Sequence, residues 1–501
     1  MNGMRRSGII FLLQSNLVSV IQHLAVLLHK AMLYKSATQV KLHSNNAVWH
    51  KERTHRFMRR YLVFLVSAFI VFTACTTTGN SDYVKLMHDP LLYSKTVKRL
   101  NDIVLENNFP PMIASRNYAY ANIAAYEVMA AGDSSYISLA GQITLLPAMP
   151  KPGNKEQVDF PFASLIAFCK VGNAVTFPEG SMDIYVEELK KKAEDAGMPS
   201  DIFSNSIAYA NAVADSILSW SKKDNYLQTR SASKYTITNE PGTWQPTPPA
   251  YAQGVEPHWR EIRTLVLDSA SQFKPARPPK FDVEDKNGVY YKAVMEVKNI
   301  VDSLTPEQKQ IADFWDDNPF KLNVVGHVMY GTKKFSPPGH WMNIVGIIAQ
   351  KQHSDFSETV CAYTKTGIAL FDAFISCWDE KYRSNYIRPE TVINKYFSPE
   401  WQPYIQTPPF PEYTSGHAVI SAAAAEVMTS IFGENISYTD SSELEFGIPN
   451  RSFTSVKAAA EEASISRVYG GIHYKYSCQV GAEEGKLVGI LIDQRLQMKK
   501  K

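Results

Sequence analysis

Three short stretches between Lys381 and Ser477 carry residues whose types and spacing suit the handling of a small oxyanion. Lys381-x6-Arg388-Pro389 supplies two cations. Pro411-Glu-Tyr-Thr-Ser415-Gly416-His417 runs directly into the alanine-rich segment Ala418–Met428, which favours helix, so Ser415, Gly416 and His417 are expected at a helix N-terminus. Free backbone N–H groups and the positive end of the helix dipole meet there, and a glycine lets an anion approach the main chain. Ser466-Arg467-x5-His473 adds a third cation and a second histidine beyond the glycine pair Gly470-Gly471. Each stretch alone is unremarkable: a charged helix face, a serine N-cap beside a surface histidine, and an ordinary helix end. Together they describe three cations, an N–H cradle and two acid/base groups around a tetrahedral or trigonal-bipyramidal oxyanion.

The elements that must position these groups read as helices almost throughout. From Ser81 to about Ser233, stretches such as Ser115–Met129 space apolar residues by three and four, and helical patterns resume from about Val283. The run from Gly367 predicts a helix that carries Lys381 and Arg388 on one face two turns apart, ended or bent by Pro389. Between about Thr236 and Pro279 the chain is rich in proline and aromatics, which predicts an ordered irregular crossing between an N-terminal helical subdomain over 75–250 and a C-terminal catalytic helical domain over 251–501.

The ordered set Lys381-x6-Arg388-Pro389, Ser415-Gly416-His417 and Ser466-Arg467-x5-His473 resembles the tripartite signature of the superfamily that joins type 2 phosphatidic acid phosphatases and vanadium-dependent haloperoxidases. The likeness to haloperoxidase-like members extends back to about Asp313. It implies an all-α, multi-helix bundle of the vanadium haloperoxidase and acid phosphatase type. It implies that His473 bonds the central atom, vanadium or phosphorus, and that Lys381, Arg388 and Arg467 neutralise its oxygens with Ser415 and Gly416. His417 is then the general acid/base. Trp378 and Phe410 match aromatics of a halide pocket, with core packing as the ordinary alternative. Trp315-Asp316-Asp317 resembles a segment whose acid, Asp317 or else Asp316, pairs with Arg467. Thr414 stands where phosphatase members carry proline, and Ser477 where the superfamily usually has an aspartate that orients the histidine. With Ser477 there, phosphatase turnover is expected to be slow.

The resemblance leaves two reactions open: peroxide-driven halide oxidation with vanadate as cofactor, or phosphomonoester hydrolysis through a phosphohistidine with no cofactor required. No apolar run after Cys75 reads as long enough to span a membrane, which points to the soluble, haloperoxidase-like branch. A non-enzymatic lipoprotein that binds glycans or other nutrients is a third reading. With 52 Lys+Arg against 49 Asp+Glu the formal charge is +3, so nothing indicates a nucleic-acid partner. Five cysteines lie far apart without metal-ligand spacing, which argues against a disulfide scaffold. His327, His340 and His353 lack a partner motif and read as structural or surface groups.

Near the N-terminus, Met58-Arg59-Arg60, the apolar run Tyr61–Phe72 and Thr73-Ala74-Cys75 form a lipoprotein signal pattern. The expectation is a signal over 58–74, a lipid on Cys75, and an extracytoplasmic position at the outer membrane facing the periplasm of a Gram-negative bacterium. Residues 1–57 are then an upstream extension from a misplaced start codon, with Met58 the true initiator. A separate membrane anchor over 9–28 is the alternative.

Overall fold

Proline and short polar caps set where helices begin in this chain, and the computed structural model describes residues 82–500, with 326 and 332 excepted. The lipoprotein signal, Cys75 and the upstream segment lie outside the described residues. Among the described residues are fifteen α-helices and two short antiparallel ribbons. The first five helices are α1 Asp82–Met87, α2 Pro90–Glu106, α3 Pro111–Gly132, α4 Phe160–Val175 and α5 Asp183–Asp195. α6 Ser200–Ser221 and α7 Tyr226–Arg230 precede the irregular crossing, and α8 Val289–Asp302 and α9 Pro306–Phe314 follow it. Ribbon β1 Leu322–Val325 with β2 Val328–Gly331 leads to α10 Pro337–Lys351, α11 Phe356–Ser384 and α12 Pro389–Tyr396. After α13 Gly416–Phe432 come β3 Tyr438–Asp440 and β4 Arg451–Phe453, then α14 Val456–Tyr469 and α15 Lys475–Arg495.

α11 is the central helix. A capping box at Asp355 and Glu358 starts it, and most of its 29 residues are buried against α3, α13 and α10. By length and composition it is apolar enough to cross a membrane, contrary to the expectation of no such run after Cys75. Here 94% of that apolar window is buried inside the protein, so it is a core helix whose solvent is other helices. Its buried charges all have partners. The Asp372 carboxylate, for example, accepts the backbone N–H groups of Leu265, Val266 and Leu267 at 2.7, 2.7 and 3.0 Å, which pins the irregular crossing to the helix. The crossing is pinned a second time where Val255 O accepts from Trp378 Nε1 and from the Tyr382 hydroxyl. Cys169, Cys361, Cys377 and Cys478 are all free thiols.

Arg388 does not share a helical face with Lys381. α11 stops at Ser384 because Asn385 takes up a left-handed conformation (φ 48°), and Arg388 sits extended (ψ 149°) before Pro389, the first residue of α12. Proline disfavours helical geometry in the residue before it, so the chain must turn first. The turn is held by the crossing, through Trp244 N–H to Asn385 O at 2.9 Å and Ile387 N–H to Gly242 O at 3.1 Å.

α13, which carries the second motif, lies along α15, which follows the third. The approach is close because Gly485 faces the α13 backbone: a Cβ there would meet Val419 O at 1.9 Å. Gly485→Ala is therefore expected to destabilise the protein by at least about 2 kcal/mol in urea unfolding, the range for overpacking a filled interface. Unchanged stability would mean that the two helices separate without cost.

Candidate active site

The Phe410–Ser415 loop brings the three motifs together. Lys381 Nζ, fully buried in the last turn of α11, donates to the carbonyls of Pro411, Glu412 and Thr414 at 2.9, 3.1 and 2.6 Å. All three of its protons are thus engaged by main chain, and its positive charge lies just under the loop. Burial pulls its pKa down to about 8. Arg388 Nε donates to Phe410 O at 3.0 Å, and its Nη1 lies 2.8 Å from Ile472 O and 3.1 Å from His473 Nε2. Arg467, in the last turn of α14, donates from Nη1 to Trp315 O at 2.5 Å.

That last contact differs from the expected pairing of Arg467 with Asp317 or Asp316. Trp315 caps the C-terminus of α9, where carbonyls lack helical partners and carry the negative end of the dipole, so the guanidinium caps the helix. Asp316 accepts instead from Lys321 at 2.9 Å, and Asp317 faces His340 at 3.1 Å. Both acids still favour the charged arginine through space, against the burial that lowers its pKa.

Ser415 is the N-cap of α13 yet makes no capping hydrogen bond, and its Oγ has no partner although the residue is fully buried. Arg388 Nη2, Arg467 Nε and His417 Nε2 are buried and unpartnered as well. Four unused polar atoms in one interior region are costly unless a ligand takes them up. A methyl group on Gly416 would meet Trp378 at 3.7 Å and Lys381 Cε at 4.0 Å without clash, so packing does not require glycine there; the missing Cβ leaves open space above the helix N-terminus. A narrow cleft is lined by Asp317, Trp378, Phe410, His417, Arg467 and His473 among others. The Trp378 and Phe410 rings pack 5.0 Å apart at its wall, with Lys381 Nζ 5.7 and 5.0 Å from their centres.

The group that orients His473 was missed from the sequence. Glu412 Oε1 accepts from His473 Nδ1 at 2.7 Å and from Tyr474 N–H at 3.1 Å, entirely buried. With Arg388 donating to Nε2, the proton of the neutral ring belongs on Nδ1, and the Nε2 lone pair faces the cations. The absence of an aspartate at 477 therefore does not leave His473 without a carboxylate. Ser477 lies beside Glu412, where it favours the charged form, and has no hydrogen bond to His473. Glu412 sits inside the second motif, three residues before Ser415, so its position was a signal, but only the fold turns it toward His473. Of the two readings of His340, structural or surface, the first holds: it is fully buried and joined to Asp317 and Asp440. His327 is exposed, and His353 occupies a left-handed turn (φ 54°).

Both site histidines are held well below the usual imidazole range, first by burial and then by cations: Arg388, Lys381 and Arg467 around His473, and Arg467 beside His417. Both are neutral near pH 7, one presenting a lone pair and the other able to accept a proton. His417 Nε2 lies 3.9 Å from Asp317 Oδ2, a carboxylate placed to steady it once protonated.

Burial raises the Glu412 carboxyl to about 7, against the pull of Arg388 and Lys381. Below that pH it is protonated and gives His473 less basicity; above it the carboxylate is present. Orthovanadate affinity is accordingly expected to rise between pH 6 and 8, and Glu412→Gln should lower it by about tenfold, the lower end for outer-shell partners, while flattening the rise relative to the parent chain. Ser477→Asp, which places a second acid against Glu412 in a buried site, should weaken binding as well. Isothermal titration across pH checks both; a Glu412→Gln chain with the parent's affinity and pH profile would remove Glu412 from this role.

The family described as VCPO second helical-bundle domain matches residues 362–500, which contain all three motifs. The crystal structure of a bacterial vanadium-dependent iodoperoxidase is 45% identical, covers 82% of this chain and 98% of its own, and superposes with a TM-score of 0.78. Holo and apo structures of a bacterial vanadium-dependent chloroperoxidase, 16% and 19% identical, each cover 78% of this chain and 92% and 95% of their own, with TM-scores of 0.57 and 0.58. At that identity they show a shared fold. No curated protein matches the chain.

Proposed function

The chain belongs to the vanadium-dependent haloperoxidase family, an enzyme family with a vanadate cofactor, and from that premise we propose that it oxidises iodide with peroxide at a vanadate held by His473. The observation that carries the reading is the set of unpartnered buried donors, Arg388 Nη2, Arg467 Nε and Ser415 Oγ, beside His473 Nε2, whose lone pair is met only by Arg388 Nη1 at 3.1 Å. These fit a small oxyanion bound through one nitrogen. Family membership removes the nutrient-binding alternative, and iodide is favoured by the 45% identity to an iodoperoxidase over nearly all of that protein's length.

When bound, vanadate supplies the electrophilic centre at which peroxide is activated toward halide. The chain's own groups do the rest. Glu412 holds the proton on Nδ1 of His473 and so keeps Nε2 as the ligand atom. Arg388 and Arg467 offer charge-assisted hydrogen bonds to the oxygens, and the α13 N-terminus adds Ser415 and the Gly416 N–H. Lys381, engaged by the loop, contributes charge at short range in a low-dielectric interior. His417 takes a proton from incoming peroxide at Nε2, and Asp317 stabilises the imidazolium that results. Trp378 and Phe410 offer a large polarisable anion an apolar wall backed by the Lys381 and Arg388 charges.

The test is triiodide formation by the purified chain from iodide and peroxide, with and without vanadate, beside p-nitrophenyl phosphate hydrolysis without it. Vanadate-dependent iodide oxidation is expected; phosphate ester turnover without any halide oxidation would overturn the reading in favour of the phosphatase. His473→Ala should abolish vanadate binding, whereas His417→Ala should bind vanadate and lose about a hundredfold or more in turnover, as loss of a general base does. Equal loss of affinity in the two variants would contradict these separate roles.

We also propose that Cys75 carries a lipid and holds the enzyme at the periplasmic face of the outer membrane, on the strength of the basic, apolar and small-residue pattern from Met58 to Cys75. Mass spectrometry of protein expressed from Met58 in a Gram-negative host should find lipid-modified Cys75 at the N-terminus. An unmodified thiol there would rule the anchor out.

A further inference from the structure

Behind His417 lies a buried cluster of which the oxyanion chemistry uses only Asp317. His340, in the first turn of α10, has Nδ1 3.1 Å from both oxygens of Asp317 and 3.8 Å from Glu443 Oε1, while its Nε2 lies 2.9 Å from Asp440 Oδ2. None of the four side chains is more than 1% exposed. The imidazole is clamped flat against Trp315, with ring centres 4.7 Å apart and planes at 23°. Three carboxylates thus converge on one imidazole in the interior.

An imidazolium between two aspartates accounts for Asp317 and Asp440, and leaves Glu443 without explanation. Neither Glu443 oxygen has a hydrogen-bond partner, and the residue is fully buried. Burial pushes its carboxyl up to about 8, so near pH 7 it stands as an uncharged acid whose hydrogen-bonding capacity is unused. Its carboxylate points at the same space that the His340 Nδ1 and Asp317 oxygens border, and one atom from each of the three lies within 4.8 Å of the others. Ligand atoms sharing one ion at about 2.0 to 2.2 Å stand roughly 3.0 to 3.5 Å from one another, so a closure of about an ångström would complete the set.

We propose that Asp317, His340 and Glu443 form a binding site for a divalent transition-metal ion, Zn²⁺ or Mn²⁺, separate from the vanadate site. One imidazole nitrogen with two carboxylates is a borderline-hard donor set suited to these ions. When an ion binds, Nδ1 releases to solvent the proton it shares with Asp317 and ligates, while Nε2–H keeps donating to Asp440, the usual support for a metal-bound histidine. The ion replaces the imidazolium, 3.8 Å from Glu443 Oε1, as the positive neighbour of that residue, and ties the segment after α9, the start of α10 and the turn after β3 to one point. Because Asp317 also stands 3.9 Å from His417, the ion fixes the position of the carboxylate that backs the acid/base group.

The experiment is elemental analysis of the purified full chain, with vanadium counted separately, then chelator treatment and titration with Zn²⁺ and Mn²⁺ in vanadate-free buffer. About one equivalent of one of these ions should bind and raise the melting temperature. Glu443→Gln should weaken binding by about tenfold or more, and Asp440→Asn by a similar factor. Anomalous diffraction from metal-loaded crystals should place the ion between Asp317, His340 and Glu443. The proposal is overturned if the parent chain neither contains nor rebinds either ion, if Glu443→Gln binds it as tightly as the parent, or if the anomalous peak lies elsewhere. Since vanadate plays no part in these measurements, their failure leaves the haloperoxidase reading standing.

Discussion

Charges buried in a helical bundle must be met by partners, and in this protein the partner is the Phe410–Ser415 loop. Three of its carbonyls take the protons of Lys381 and a fourth takes Arg388 Nε. The Glu412 side chain from the same loop holds His473, and the Thr414 hydroxyl donates to the buried Glu484 of α15 at 2.8 Å. Without these contacts two fully buried cations would be unpaired, at a cost of several kcal/mol each. The loop therefore cannot move far without unpairing them, and this is what keeps Ser415 and Gly416 at a fixed height over the start of α13.

That constraint separates groups used to build the site from groups left over for a ligand. Lys381 spends its hydrogen-bonding capacity on the main chain and acts at a distance, as charge. Arg388 and Arg467 each anchor through some nitrogens and keep another free. Arginine's five fixed donors make that division possible where a lysine would have to choose. The same logic extends to the imidazoles: Nδ1 of His473 is committed to Glu412, which leaves Nε2 for chemistry.

The three motifs, their order and the helical fold were legible in the sequence because helix propensity, the Ser-Gly start of α13 and the glycine pair after α14 are local signals. What local signals could not show was how segments meet. Helical periodicity carried Arg388 onto the Lys381 face, yet Asn385 and Pro389 end the helix between them. Glu412 was in plain view inside a motif, but whether it faces solvent or His473 is decided by a loop folded around Lys381. His340 looked isolated because its partners, Asp317, Asp440 and Glu443, lie 23 to 103 residues away in the chain. The apolarity of α11 is likewise ambiguous in one dimension, since burial among helices and burial in lipid ask for the same side chains.

The central claim is that a vanadate ion sits at the lone pair of His473, with its oxygens on the nitrogens that the loop leaves free. X-ray absorption at the vanadium edge of the loaded protein tests it most directly. The account predicts a single imidazole nitrogen in the vanadium shell of the parent and of His417→Ala, and no bound vanadium in His473→Ala. A shell of oxygen alone in the parent, or a nitrogen that persists without His473 and disappears without His417, would contradict it.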